Sequence, residues 1–169
     1  MAELRQQDKL QPSLLDRLTD DAPDSKTDRP DQRVLTLRKL RDSVKRDLAW
    51  LLNATNLSSV QSLERFPEVE RSVLNYGMPD ISGLTVSDID TGELELAVRR
   101  VILNFEPRIL PHTVEVKPLI DEQQMNSNAL AFEIEGLLWA QPAPLQIMLK
   151  TELDLELGEV TVSDSSGST

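Results

Sequence analysis

The stretch from Leu94 to Lys117 reads LELAVRRVILNFEPRILPHTVEVK, and a change of period inside it sets the fold class. Before Pro107, the residues Leu94, Ala97, Val98, Val101 and Phe105 recur at three- and four-residue steps, which puts them on one face of a helix. Extended back to about residue 86, this helix has Asp88, Asp90 and Glu93 in its first turns and Arg99 and Arg100 later, the order that complements a helix dipole. Pro107 ends it, because proline has no N–H to give and its ring collides with the preceding turn. Beyond the corner, Thr113-Val114-Glu115-Val116-Lys117 alternates with a period of two, the pattern of a strand with one buried face.

The same division holds outward in both directions. Upstream, residues 33–53 form a second amphipathic helix, with Leu37, Leu40, Val44, Leu48 and Leu51 on one face. Trp50 and Leu52 widen that face, Arg38, Lys39, Arg41, Lys45 and Arg46 occupy the others, and the polar Asn53-Ala54-Thr55-Asn56 stops the helix. Residues 57–92 read as loops with short helices, one starting at Pro67 and running to Asn75 before Gly77, Pro79 and Gly83 break the pattern. Downstream, Leu130, Phe132, Ile134 and Leu138 alternate along a second strand broken by Gly136. A third alternation, from Leu145 to Leu157, lasts about thirteen residues, twice the usual strand length. Along its polar side, Glu152, Asp154 and Glu156 form a row of carboxylates. It reads either as a long hairpin arm or as a strand that projects past its neighbour and offers an unpaired edge.

The ends differ from this body. Pro12-Ser13-Leu14-Leu15-Asp16-Arg17-Leu18 reads as one or two helical turns, too short to be stable alone. Leu14, Leu15 and Leu18 therefore need a surface, either this domain's own or a groove on a partner. The following Thr19–Asp31 is rich in Asp and Pro and reads as a mobile linker, and Ser163–Thr169 as a disordered tail. The expected architecture is α+β: helices packed on a small, mainly antiparallel sheet over residues 33–162, with a flexible N-terminal docking arm over residues 1–32 and a tail over residues 163–169.

Composition narrows the function classes. The net charge of −11 argues against non-specific nucleic-acid binding. The charge is unevenly placed: six bases face two acids between Arg33 and Asn53, whereas after Arg108 only Lys117 and Lys150 oppose ten carboxylates. The two ends are expected to carry potentials of opposite sign, with the basic helix face solvated. No apolar run reaches the roughly 18–20 residues that span a bilayer, no secretory signal opens the chain, and there is no cysteine. These features suit a cytoplasmic protein.

Motifs for chemistry are sparse. His112, the single histidine, follows Pro111 and reads as a packing or capping residue, and no cofactor or metal is expected. Phosphate-cradling glycine motifs and the nucleophile elbow are missing from the sequence. Glu133 and Glu135 share one strand face, as Glu152, Asp154 and Glu156 share another, but successive carboxylates on a strand are more often solvating than catalytic. Phe105-Glu106-Pro107-Arg108 stands apart. Pro107 pushes Glu106 out of the helical region, so two opposite charges flank a rigid corner. Glu106 and Arg108 either pair with each other, or Arg108 reaches buried carbonyls or a partner's carboxylate.

Glu106-Pro107-Arg108, behind a helix of the form Ile/Val-Arg-Arg…Phe, resembles the hallmark of the contractile-phage baseplate wedge (GPW-like) family. Three further stretches are similar to its type VI secretion branch, the TssE group: Ser72-Val73-Leu74-Asn75-Tyr76-Gly77-Met78-Pro79-Asp80, Pro12–Leu18, and Arg46-Asp47-Leu48-Ala49-Trp50-Leu51-Leu52-Asn53. The resemblance implies a cytoplasmic, non-enzymatic structural subunit bound to the wedge proteins TssF and TssG, with TssK a further partner, beneath the contractile TssB–TssC sheath. It implies that Leu14, Leu15 and Leu18 anchor the arm in TssF/TssG and that Glu106, Pro107 and Arg108 hold a wedge or sheath contact. It further implies that residues 145–157, with Glu152, Asp154 and Glu156, meet the sheath and seed its first ring. Neither nucleic-acid binding nor membrane insertion is implied. On this reading Arg108→Ala leaves the fold intact and blocks sheath assembly. The family is also labelled lysozyme-related, so a peptidoglycan hydrolase acting through Glu106 is the leading alternative, and a small soluble adaptor is a third.

Overall fold

The computed structural model describes residues 13–19, 36–81, 89–119, 129–140 and 143–165. Helix starts follow side-chain caps. The Ser13 hydroxyl accepts from the Asp16 N–H at 3.2 Å and opens α1, Leu14–Leu18. Thr36 does the same for α2, Leu37–Asn53, accepting from Lys39 N–H at 3.2 Å. A single turn, α3, spans Pro67–Glu70. Asp90 caps α4, Thr91–Phe105, with its Oδ1 taking the N–H groups of Gly92 and Glu93 at 2.8 and 3.2 Å. The helix expected from about residue 86 thus begins at Thr91, because Asp90 spends its side chain as a cap; residues 82–88 lie outside the described ones.

Four strands follow: β1 Glu115–Leu119, β2 Ala129–Leu138, β3 Leu145–Asp154 and β4 Glu159–Asp164. They pair antiparallel in the order β1-β2-β3-β4. One face of this sheet carries Val116, Phe132, Ile134, Leu138, Ile147, Leu149 and Leu153, all buried. Against it pack α2, over β3 and β4, and α4, over β1. From the helices Leu40, Val44, Leu48 and Leu51 and then Leu94, Val98, Val101 and Ile102 close the core. The other face is polar. There Lys117 lies 2.9 Å from Glu135 and 3.0 Å from Glu115, and those carboxylates hold its ammonium up to about 12. No helix among the described residues is long and apolar enough to cross a membrane.

The α+β class, the helices on one side and the antiparallel sheet stand as the sequence implies. Three further local readings of strand and helix extent change. First, the long alternation from Leu145 to Leu157 is one arm of a hairpin, and its edge is covered. β3 stops at Asp154, whose Oδ1 accepts from Glu156 and Leu157 N–H at 2.8 and 3.0 Å, and Gly158 completes the turn at φ 66°. β4 then returns along β3, which makes β3 an interior strand. Glu156 falls in the turn, so Glu152, Asp154 and Glu156 are not a continuous row. Second, β4 runs to Asp164 and Ser165 N–H reaches the Met148 carbonyl at 3.1 Å, so Ser163 and Asp164 belong to the sheet with Ser165 tied to it, while residues 166–169 of the expected tail lie outside the described ones. Third, the apolar face of α2 is narrower than its pattern: Trp50 is exposed, with the Arg46 guanidinium 5.2 Å from its ring centroid, and Leu37 is exposed as well.

The basic face of α2 is only partly solvated: Arg38 and Lys39 are exposed, but its middle is paired. Arg41 and Lys45 meet Asp164 of β4 at 2.8 and 2.7 Å. The hydrogen bond from Lys45, helped by Arg41, keeps the Asp164 carboxyl below its ordinary range. The charge asymmetry along the chain is thus partly cancelled when the basic helix folds over the acidic end.

Candidate functional site

Ser43 and Asp47 are one helical turn apart on α2, beside the buried stripe of Leu40, Val44 and Leu48. Opposite them α4 runs out. Glu106 is its C-cap residue; its N–H still reaches the Ile102 carbonyl at 2.9 Å, but Pro107 has no N–H with which to continue the ladder. The chain turns at once, and the Glu106 side chain closes the turn. Its Oε1 accepts from the Arg108 backbone N–H at 3.1 Å and from Arg108 Nε at 2.7 Å, while Arg108 Nη2 donates to Oε2 at 2.5 Å. This is a forked, charge-assisted pair. The rest of the guanidinium reaches α2: Nη2 donates to Asp47 Oδ2 at 2.6 Å and Nη1 to Ser43 Oγ at 3.3 Å. Ser43 in turn donates to the Leu40 carbonyl at 2.9 Å.

The backbone of the corner is stitched to the end of β2. The Arg108 carbonyl accepts from Trp139 N–H, and Leu110 N–H donates to the Leu137 carbonyl, both at 2.8 Å; between them Ile109 bridges Leu138. Gly136 permits this approach, since a Cβ there would lie 2.9 Å from Ile109 Cγ2. Glu106-Pro107-Arg108 therefore clamps α4, α2 and β2 together.

The clamp extends to the arm. Asp47 Oδ1 accepts from Arg46 Nε at 2.9 Å, and Arg46 Nη1 donates to Asp16 Oδ1 of α1 at 2.7 Å. Asp16 Oδ2 accepts from the Ser13 hydroxyl at 2.7 Å. Glu106, Arg108, Asp47, Arg46 and Asp16 form one chain of alternating charge. Burial disfavours the Arg108 cation, but Glu106 and then Asp47 outweigh it and hold the guanidinium charged well above its ordinary range. Burial likewise pushes Asp16 up, and the hydrogen bonds from Ser13 and Arg46 prevail, leaving its carboxyl below the usual value. Tyr76 packs edge-on against Phe105, ring centroids 5.3 Å apart; burial, then the charges of Asp47 and Glu106, push its hydroxyl up. The Ser72–Asp80 motif thus touches the clamp through one ring.

Of the residues singled out from the sequence, Glu106, Pro107 and Arg108 come together, with their charges paired inside the chain. Leu14, Leu15 and Leu18 are 71%, 41% and 74% exposed: α1 meets the domain through Asp16 and turns its leucines outward. Glu152, Asp154 and Glu156 stay at the hairpin, Glu152 beside Lys150 at 2.8 Å. His112 is exposed in a turn at Pro111–Thr113, and no cluster of three or more groups able to hold a metal exists among the described residues. Sequence reasoning gave no site role to Ser43, or to Arg46, Asp47 and Asp16, although the last three stand in stretches that carry the family resemblance. The usable signal was a serine and an aspartate spaced four apart beside an apolar stripe, on a helix otherwise rich in bases.

A model of the family described as baseplate wedge protein gp25 matches residues 38–143, more than half of the chain. The chain belongs to the baseplate wedge protein gp25 family. Comparison with curated proteins and with solved structures gave no match. The gp25 match contains both halves of the clamp, Ser43 to Asp47 and Glu106 to Arg108, while α1, β3 and β4 lie outside it. In this gp25-family chain both oxygens of Glu106 are engaged by Arg108, so the side chain serves as a fixed acceptor.

Proposed function

We propose that this chain is the type VI secretion form of the baseplate wedge protein, a cytoplasmic structural subunit that joins TssF and TssG, with TssK nearby. In this reading its sheet offers the first strands on which the TssB–TssC sheath assembles. The observation that carries it is the state of α1. A five-residue helix is too short to persist alone, yet this one is held to α2 by the Asp16–Arg46 pair with Leu14 and Leu18 facing outward. A leucine face displayed in that way fits a groove on another wedge subunit. Among the described residues β1 and β4 are the outer strands of the sheet, and their edges are the ones it would offer the sheath.

Co-expression with TssF and TssG tests the proposal. Recovery of a three-component complex on a tag carried by this chain is expected, and its clean separation from both proteins would overturn the reading. The clamp supports a structural role over hydrolysis, because Glu106 is committed to Arg108. Incubation with cell-wall sacculi checks that side: solubilised peptidoglycan would restore the hydrolase reading.

A further inference from the structure

Only part of the Ser72–Asp80 motif is occupied by the fold. Asn75 is buried, its Oδ1 accepting from Ser58 N–H and its Nδ2 donating to the Glu70 carbonyl, both at 2.9 Å. Gly77, at φ 120°, lets Met78 N–H reach the Ala54 carbonyl at 2.7 Å, and Asn56 N–H returns to the Met78 carbonyl at 2.9 Å. Asn56 Oδ1 also takes Ser59 N–H at 3.0 Å, and Ser59 Oγ takes Asp80 N–H at 2.9 Å. The turns at Leu57–Ser59, Pro67–Glu70 and Val73–Asn75 pack on one another through these bonds.

On that fixed base stand side chains that the fold leaves bare. Val73 is 79% exposed, Leu74 67%, Phe66 51% and Val60 80%. Val60 also borders a depression of about 510 Å³ lined by residues 58–64 and Glu70. Its charged lining groups are Glu64 and Glu70, and neither has an ion-pair partner among the described residues.

We infer that this face docks a partner segment carrying apolar side chains next to lysine or arginine. Bare aliphatic and aromatic groups on an anchored loop lose little conformational freedom on binding, which favours them as interface anchors. Arg65 and Arg71 adjoin them in the chain but do not line the depression, so within it the two carboxylates select the sign of the occupant: a cation beside them gains, and an acidic segment is repelled by them and by the net charge of −11. A second copy is the competing occupant, and the oligomeric state of the Val73/Leu74 variant separates the two. The inference does not rest on the wedge reading and concerns residues other than the α1 leucines.

The test uses the full chain and a labelled synthetic amphipathic helix of leucine and lysine, read by fluorescence anisotropy. Binding is expected, with hydrogen-exchange protection over residues 57–76. Val73→Ser with Leu74→Ser is expected to weaken it by about tenfold or more, the scale set by losing two anchors. Glu64→Lys with Glu70→Lys is expected to shift the preference to a matched leucine–glutamate helix, and because all four side chains are changed at the surface, thermal melting should stay near wild type. Equal affinity for the lysine helix in the Val73/Leu74 variant overturns the inference, as does protection confined to α1 or α2. Concentration-dependent dimers that the same variant abolishes would assign the face to a second copy instead.

Discussion

At the residue scale, Arg108 is the side chain on which most depends. Its guanidinium joins Glu106, whose side chain is 3% exposed, to Asp47, which is 24% exposed. Removing it leaves the buried Glu106 carboxylate without its cation and facing Asp47, which keeps Arg46. Arg108→Ala is therefore expected to cost about 3 kcal/mol, the low end for breaking a buried pair because Arg108 itself keeps some contact with water, measured as a shift in urea midpoint. Arg108→Lys should recover less than half, since an ammonium cannot serve Glu106 and Asp47 as a fork. This revises what the sequence suggests, an Arg108→Ala protein with an intact fold and a specific assembly defect. Gly77 is the other sensitive residue. At φ 120° a side chain is strained, and a Cβ would fall 2.2 Å from the Ala54 carbonyl oxygen, a backbone atom that cannot step aside. Gly77→Ala should lower stability by at least about 2 kcal/mol, strain and clash together, and should do so with hydrogen-exchange losses around Asn56 and Met78.

At the element scale, α1 behaves as a latch. Its tie to the domain is the ion pair of Asp16 with Arg46, at side-chain exposures of 17% and 33%, and exposed pairs of this kind contribute under about 1 kcal/mol. Asp16→Asn should then leave the melting curve almost unchanged while amide exchange in α1 rises to the rate of an unfolded segment. The pH dependence has a definite sign. The folded carboxyl titrates below the ordinary aspartate value, so its contribution is fully present above that ordinary value and is lost as pH falls through the lowered one. Docking of α1, followed by Trp50 fluorescence because Arg46 sits on that ring, is expected to persist through the neutral range and to fail only in strong acid, and in Asp16→Asn to be missing at every pH. The elements also show where periodicity ceases to inform. Both long helices and the second strand are legible in spacing alone, because each buries one face in a single run. The β3–β4 hairpin is not: Asp154 and Leu155 preserve the alternation into the turn, since an aspartate that caps a turn and an aspartate on a strand look alike in sequence. Only Gly158 marks the reversal.

At the scale of the whole molecule, the clamp explains why the site was half legible. The Glu106-Pro107-Arg108 corner announces itself through proline chemistry, but its counterparts Ser43 and Asp47 are about sixty residues upstream, a separation that spacing cannot cross. Folding supplies the pairing, and with it a division between holding and docking. Charges face inward, along Glu106, Arg108, Asp47 and Arg46, while the leucines of α1 face outward. That division yields a prediction that separates the two roles. Leu14→Ser with Leu18→Ser touches no core residue, so melting should remain within about 0.5 kcal/mol of wild type, as surface changes do, while co-purification with TssF and TssG is lost. Arg108→Ala should act in the opposite order, losing stability first and retaining partner binding at temperatures where it is still folded. Measuring melting and pull-down yield on the same preparations checks both. If the leucine variant binds as wild type does, α1 is not the wedge contact and the exposed turns around Val73 become the surface to test next; if Arg108→Ala loses partners while fully folded, the corner itself reaches across the interface.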